Sequence, residues 1–247
     1  MVNNAELTLV LLALALVATL VGRFIARRFA PPLRPIPAYD RLPALAADAV
    51  ESNDRIHFSM GHSALGETST VSALASAEII YRLAERLAIN YQTPLVTLSS
   101  AMTLPLAQDT LRRAFEYREN MAYYRSSAAA WYPQGPRSLL FAVGVATLIA
   151  DARIDSNILL GRFGTELALI GESAMRLDQG MIAHSDLPEG QAIAFAQADH
   201  LLIGEELYVG AAYLNGTALE QGGAFALDVL RWLIILGIIG WALQAAV

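Results

Sequence analysis

The chain has 247 residues, a formal net charge of −6 and a mean hydropathy of +0.42. The acidic balance argues against nucleic acid as a partner, which needs a basic face to neutralise phosphates. The lack of cysteine excludes disulfides, thiolate catalysis, iron–sulfur clusters and cysteine zinc sites, and because all 17 basic residues are arginine, lysine bases, Schiff bases and a P-loop lysine are excluded too.

The chain opens on an apolar run, Leu7 to Val21, interrupted only by Thr8 and Thr19. Extended to Ile25 it is about 20 residues long, enough for a hydrocarbon core of about 30 Å. Arg23, Arg27, Arg28, Arg34 and Arg41 follow it, the reverse of the charge order in a signal peptide. Residues 1–28 are therefore predicted to be a transmembrane anchor, with the arginines in the cytoplasm and the N-terminus outside. Ala18, Gly22 and Ala26 recur every four residues, a pattern that permits close helix contact and is also common in such helices generally. Residues 29–43 carry prolines at 31, 32, 35, 37 and 43 and read as a stiff linker. A short helix, Leu42 to Glu51, is predicted after it.

Residues 44–214 alternate between strand-like and helix-like runs. Strands are predicted at Ile56–Met60, Pro94–Leu98, Ala128–Tyr132, Asn157–Gly161 and Gly180–His184. Helices are predicted at Thr68–Ile89, Leu104–Glu119, Ser138–Arg153, Glu166–Arg176, Gly190–Ala198 and Gly204–Leu214. Alternation at this spacing implies crossover connections, hence an α/β, Rossmann-like domain with a mainly parallel sheet of about five strands and helices on both faces. The helix Ser138–Arg153 is too apolar for a solvent face and reads as buried or as an interface. Residues 215–228, with three glycines, read as a loop. Residues 229–247 are apolar except for Arg231 and Gln244, with Trp232 and Trp241 near the two ends, and read as a second transmembrane anchor.

In open α/β sheets ligands bind at the carboxyl ends of the strands. The loops there are Gly61–Thr68, Ser99–Thr103, Gly161–Glu166 and His184–Asp186. The first, GHSALGET, admits four readings. Gly61, Gly66 and Thr68 have Walker A spacing, but Glu67 stands where the lysine belongs and would repel phosphate unless an arginine compensates. Gly61-His62-Ser63 begins a nucleophile elbow, and Asp186 and His200 follow in the Ser–Asp–His order of α/β-hydrolases, but the closing glycine is displaced. His57 and His62 with Glu67 match no standard metal template. Glu67 and Thr68 in the first turn of a helix also serve as caps. The loop GRFGTE repeats the idea with Gly161, Gly164, Thr165 and Glu166. The candidate small-ligand crevice is thus Ser59, Gly61, His62, Ser63, Gly66, Glu67 and Thr68 with Gly161, Gly164 and Glu166; no catalytic residue, metal or cofactor is assigned. Asp199-His200 and Glu205-Glu206 form a polar cluster that reads as solvated charge or as a pocket wall. Asp109 with Arg112 and Arg113 reads as a helical ion pair.

The runs RPIPAYDRLPAL, IHFSMG, LAQDTLRRAF, ADHLLIGEELYVGAAYL and DVLRWL resemble an uncharacterised bacterial membrane-protein family, whose members carry a domain of unknown function between hydrophobic ends. The resemblance covers most of Arg34 to Leu233 and implies the same topology, but no activity and no site residues. The functional expectation is a membrane-anchored, non-enzymatic α/β domain of the inner membrane. Its central domain is cytoplasmic and both termini lie outside. It acts as a self-assembling scaffold or a subunit of a larger membrane complex, with the lipid bilayer and further copies or other subunits as partners. The alternative is a small-ligand-binding or hydrolase-like domain using the two glycine loops.

Overall fold

The computed structural model describes residues 4–29, 33–89, 93–151 and 153–245. The chain divides into two compact units, one from Ile36 to Gly210 and one formed by Met1–Pro35 with Ala211–Val247.

In the first of these, a helix, α2 (Pro37–Ser52), precedes the sheet. It starts five residues before the predicted Leu42. Pro37 occupies the first helical position, where its missing amide hydrogen costs nothing, so this proline starts a helix rather than extending the linker. Ala38, Leu42, Leu45, Ala46 and Ala49 form the buried stripe that holds it, despite Pro43 in its interior.

Then come β1 (Arg55–Gly61), α3 (Thr70–Leu87), β2 (Leu95–Leu98), α4 (Leu104–Tyr117), β3 (Ala129–Trp131), α5 (Leu139–Asp151), β4 (Ile154–Arg162), α6 (Leu167–Arg176), β5 (Gly180–Ser185), α7 (Pro188–Gln197) and β6 (His200–Leu201). The six strands form one parallel sheet in the order β3-β2-β1-β4-β5-β6. The predicted sheet lacks β6. With two residues and no apolar run, it exists because Ile182 and Ala183 of β5 offer it a paired edge.

The strand order reverses between β1 and β4. Connections from β1 run one way across the sheet and those from β3 return past it. Right-handed crossovers then place α3 and α4 on one face and α5, α6 and α7 on the other. The contacts follow: α2, α3 and α4 pack together, as do α5, α6 and α7. Covered on both faces, β1 is buried from Ile56 to Gly61, so polar His57 and Ser59 lie as deep as Ile56, Phe58 and Met60.

α5 is half buried, contrary to the expectation that so apolar a helix leaves no face to solvent. Phe141, Ala142, Val145 and Ile149 enter the core, while Leu139, Leu140 and Val143 are exposed.

The other unit contains α1 (Asn4–Phe29) and α9 (Ala218–Ala245); a short helix, α8 (Gly210–Asn215), precedes α9. α1 and α9 pack on each other where two glycines meet. A Cβ on Gly22 would lie 2.7 Å from the Gly222 carbonyl oxygen, and one on Gly222 would lie 2.6 Å from the Arg23 amide nitrogen. Ala18 and Gly22 are buried. The predicted loop at residues 215–228 is therefore mostly helix. Thr217 and Glu220 form a capping box that starts α9, and Gly222 serves close approach rather than a turn.

Among the described residues one helical stretch, Leu219–Gln244, is long and apolar enough to cross a membrane, with a mean hydropathy of 1.9. The corresponding stretch of α1, Leu12–Phe24, falls short of a span at about 1.5 Å rise per residue. Of the two expected anchors, the second is represented by the long stretch in α9 and the first by the shorter apolar stretch of α1.

Candidate functional site

The carboxyl ends of β1 and β4 are fastened together by two glycines. Gly61 has φ +55°, and a Cβ there would lie 2.3 Å from the Arg162 carbonyl oxygen. Gly161 has φ +148°, and its Cβ would lie 2.4 Å from the Met60 carbonyl oxygen. Both positions demand a residue without a side chain. Ser59 pairs with Leu159 but Gly61 with Arg162, so β4 carries a bulge here. The amide of His62 continues the ladder to the Arg162 carbonyl at 2.8 Å. The two loops read as possible walls of one crevice therefore do meet.

Ser63, the elbow candidate, is fully buried, and its Oγ accepts the Arg162 amide at 3.0 Å. Its supposed partners do not converge on it. Asp186 instead meets His184, at 3.2 Å from Nε2, and His200 lines a cavity of about 340 Å³ at the amino ends of β4, β5 and β6 with Asp155, Asp178 and Asp199. Asp199 accepts the Met181 amide at 2.8 Å, so this half of the polar cluster stays away from the carboxyl ends. Glu206 accepts the Ile203 amide at 2.8 Å and caps a turn. Arg112 and Arg113 both pair with Asp109.

Glu67 and Thr68 precede α3 in an exposed turn rather than capping it. The turn is knitted by its own polar groups: Ser69 Oγ accepts the Ala64 amide at 3.0 Å, and Thr70 Oγ1 donates to the Glu67 carbonyl at 2.7 Å. Gly66, at φ +83°, is exposed. Ser59 is buried in the strand and donates to the Thr97 carbonyl at 3.2 Å. Glu166 immediately precedes α6, but its side chain caps no helical amide; its Oε1 accepts the Gly164 amide at 2.6 Å, before the helix.

The side chains that gather are His62, Ser99, Gln134 and Glu166, drawn from the ends of β1 and β2 and the loops after β3 and β4; Arg162, the last residue of β4, reaches Thr68 in the turn before α3. His62 is 11% exposed and Glu166 3%. His62 Nε2 lies 2.8 Å from Glu166 Oε1, within ion-pair range but off the line of an aligned hydrogen bond. Its Nδ1 is in hydrogen-bond contact with Ser99 Oγ, and Gln134 Nε2 approaches it at 3.1 Å. With donors converging on Nδ1 and a carboxylate on Nε2, the tautomer that fits carries its proton on Nε2. The ring lies 5.3 Å from that of Phe141, which limits its rotation.

Burial alone pushes the Glu166 carboxyl up, but contact with His62 and the backbone amides outweighs it and holds the group below the usual carboxylate range. Arg162 NH1 donates to Thr68 Oγ1 at 3.0 Å, and among the described residues no carboxylate pairs with it. That is the arginine a lysine-free phosphate-type loop requires.

His57, the other metal candidate, lies inside the sheet. Its Nε2 is in hydrogen-bond contact with Thr97 Oγ1 at 2.8 Å, and its Nδ1 with Asn157 Oδ1 at 2.8 Å. Asn157 continues to Gln179 Oε1 at 2.9 Å, and Gln179 to the Ile149 carbonyl at 2.9 Å. Complete burial outweighs the Asn157 contact and lowers the His57 pKa to about 4. Among the described residues no group of three His, Asp or Glu side chains is placed to hold a metal.

Ser99 and Gln134 are the members of the site not singled out in the sequence. Ser99 lies in a loop marked by its place after a strand; Gln134 has no local signal. No curated protein and no solved structure matches the chain. A family model described as a domain of unknown function, DUF6754, matches residues 1–247, and the chain belongs to that family.

Proposed function

We propose that this protein is a membrane-anchored α/β domain that binds a small anionic ligand at the carboxyl ends of β1 and β4. The observation that carries this reading is the meeting of His62, Ser99 and Glu166 at the point where the strand order reverses, with Arg162 ending the neighbouring strand and reaching Thr68. That is where open α/β sheets take ligands. Arg162, with no carboxylate partner among the described residues, supplies the charge, and guanidinium geometry suits carboxylate or phosphate. The test is a thermal-shift series on the full chain in mild detergent with acetate, butyrate, inorganic phosphate and a nucleoside monophosphate. At least one should raise the melting temperature, and Arg162→Ala should abolish the rise. No shift with any of them would sink the reading.

The anchor is α9, with α1 entering the bilayer beside it. The central unit stays on the cytoplasmic side with the arginine cluster. The cysteine-free sequence makes this directly testable. Asn3→Cys should react with an impermeant maleimide added outside intact cells, and Ser126→Cys should not; the reverse pattern would overturn the topology.

A second reading, self-assembly or membership of a larger membrane complex, is favoured by the exposed Leu139, Leu140 and Val143 on α5. Protein that runs as a monomer at every concentration in detergent and co-purifies with nothing would defeat it.

A further inference from the structure

We propose that Ser99, His62 and Glu166 form a nucleophile–base–carboxylate relay that hydrolyses small carboxylic esters. The proposal rests on the ligand-binding reading above and adds chemistry to it. Three observations carry it.

The nucleophile is fixed in place. The Ser99 amide donates to the Gly61 carbonyl at 2.9 Å, and Trp131 Nε1 donates to the Ser99 carbonyl at 2.9 Å, so the backbone on either side of Oγ is pinned. The base touches it directly: His62 Nδ1 contacts Ser99 Oγ, with the Gly61 carbonyl, at 3.2 Å, as the hydroxyl's competing acceptor. The base is oriented in turn by a buried carboxylate on its far side, at 2.8 Å. Nucleophile, base and orienting acid in this sequence of contacts are the geometric signature of an activated serine. The imidazole is used in the sense opposite to the common template, with Nδ1 toward serine and Nε2 toward the acid, and either nitrogen can take the proton. Because Glu166 stays ionised at neutral pH, it can stabilise the imidazolium that forms.

The reaction balances without a further reagent. Ser99 Oγ adds to the ester carbonyl carbon and its proton passes to His62 Nδ1. The carbonyl π pair moves to oxygen. Collapse of the adduct breaks the bond to the alcohol oxygen, which takes the proton from Nδ1 and leaves. Water then gives a proton to Nδ1 and adds to the acyl carbon. The second collapse breaks the bond to Ser99 Oγ, which recovers its proton. Ester and water become acid and alcohol. Met102 and Trp131, 68% and 47% exposed, supply an apolar approach for the acyl chain.

The full chain in detergent is treated with a fluorophosphonate probe and digested for mass spectrometry, and hydrolysis of p-nitrophenyl acetate is followed in parallel. The adduct is expected on Ser99. Ser99→Ala and His62→Gln should each lower ester hydrolysis by about 100-fold or more. Glu166→Gln, a change in a positioning residue, should lower it by about tenfold and displace the acid limb of the pH–rate profile. Ser99→Cys gives a second handle, because it introduces a unique thiol. Its alkylation by iodoacetamide should be about tenfold faster than that of exposed Ser126→Cys. An adduct on another residue, no adduct at all, undiminished hydrolysis by Ser99→Ala, or equal alkylation rates would each overturn the proposal. If Ser99 stays unlabelled while the anion-induced thermal shift persists, catalysis fails and ligand binding stands. If Ser99 is labelled and no anion shifts the melting temperature, catalysis stands and the anion reading fails.

Discussion

His57 and His62 stand five residues apart, one inside β1 and one just past its carboxyl end, and each is held by a side-chain oxygen on either hand. Around His57 every partner lies within the sheet or the helix layer on it. The chain Thr97–His57–Asn157–Gln179–Ile149 ends on a backbone carbonyl, and each polar side chain in it has a hydrogen-bond partner. Around His62 the partners come from three loops, a carboxylate replaces the amide, and the ring keeps an edge toward solvent. Similar hydrogen-bonding groups thus make a structural tie in one place and a reactive cluster in the other. Depth decides which: the neutral amide suits a site that excludes charge, and the carboxylate suits one that stabilises it.

The largest effect should come from breaking the deeper of the two. His57→Ala opens a cavity in a dry interior and takes one partner each from Thr97 and Asn157, which keep Ser59 and Gln179. The expected loss is about 4 kcal/mol, read from the urea midpoint of the full chain in detergent. A loss below about 1 kcal/mol would mean that the interior polar chain contributes little.

The same histidine predicts a pH dependence. Its folded pKa is lowered to about 4 from the ordinary 6.5, so the unfolded chain takes up a proton that the folded chain refuses. Stability is therefore full above about pH 6.5 and falls as pH drops toward 4, by about 3 kcal/mol from this group. His57→Gln should flatten that slope; an unchanged slope would assign it elsewhere. Glu166 acts in the same sense at lower pH. Its depressed folded pKa contributes stability above the ordinary carboxylate range, and this is lost as pH falls through the folded value.

Next in size is the seam between the two regions. Gly61→Ala puts a methyl group against the Arg162 carbonyl in a backbone conformation that an L-residue resists. We expect a loss of about 2 kcal/mol and, because His62 follows directly, loss of ester hydrolysis too. Gly66→Ala shares the positive φ but has no neighbour within 4 Å, so it should cost less than Gly61→Ala by the same melt. Equal costs would mean that the loops are not fastened as described.

The contrast also marks what a sequence can convey. The alternation of apolar runs with amphipathic ones carried the parallel sheet and its helices, because burial on both faces writes itself into local composition. Gly61 and Gly161 were legible as loop glycines, though not as partners across a seam. β6 left no trace, since two residues next to a paired edge need no pattern of their own. The start of α2 was hidden because five prolines suggested an extended segment, while Pro37 in fact opens a helix. α9 was cut short by reading Gly222 as a loop, although the capping box at Thr217 and Glu220 was available as a start signal. Within the site, His62 and Glu166 lay in loops with a recognisable glycine signature. Ser99 and Gln134 did not, because their roles arise from three strand ends meeting in space, and no spacing along the chain encodes that meeting.

The smallest effect on stability should accompany a large one on reactivity. His62→Ala removes a partly exposed ring whose contacts are replaceable by water, so the expected cost is under about 1 kcal/mol. It leaves Glu166 buried without its charged or hydrogen-bonding partner, which tends to raise the cost, but the Gly164 amide still satisfies one carboxylate oxygen. The same substitution removes the only base in contact with Ser99 among the described residues, so fluorophosphonate labelling should fall to background while the melting curve moves little. Set beside His57→Ala, this separates the two histidines on two axes at once. The inner one should govern folding with no direct part in reactivity, and the outer one should govern reactivity with little part in folding. If both variants lost stability equally, the cluster at the strand ends would be a second structural tie, and the difference in depth would have no functional meaning.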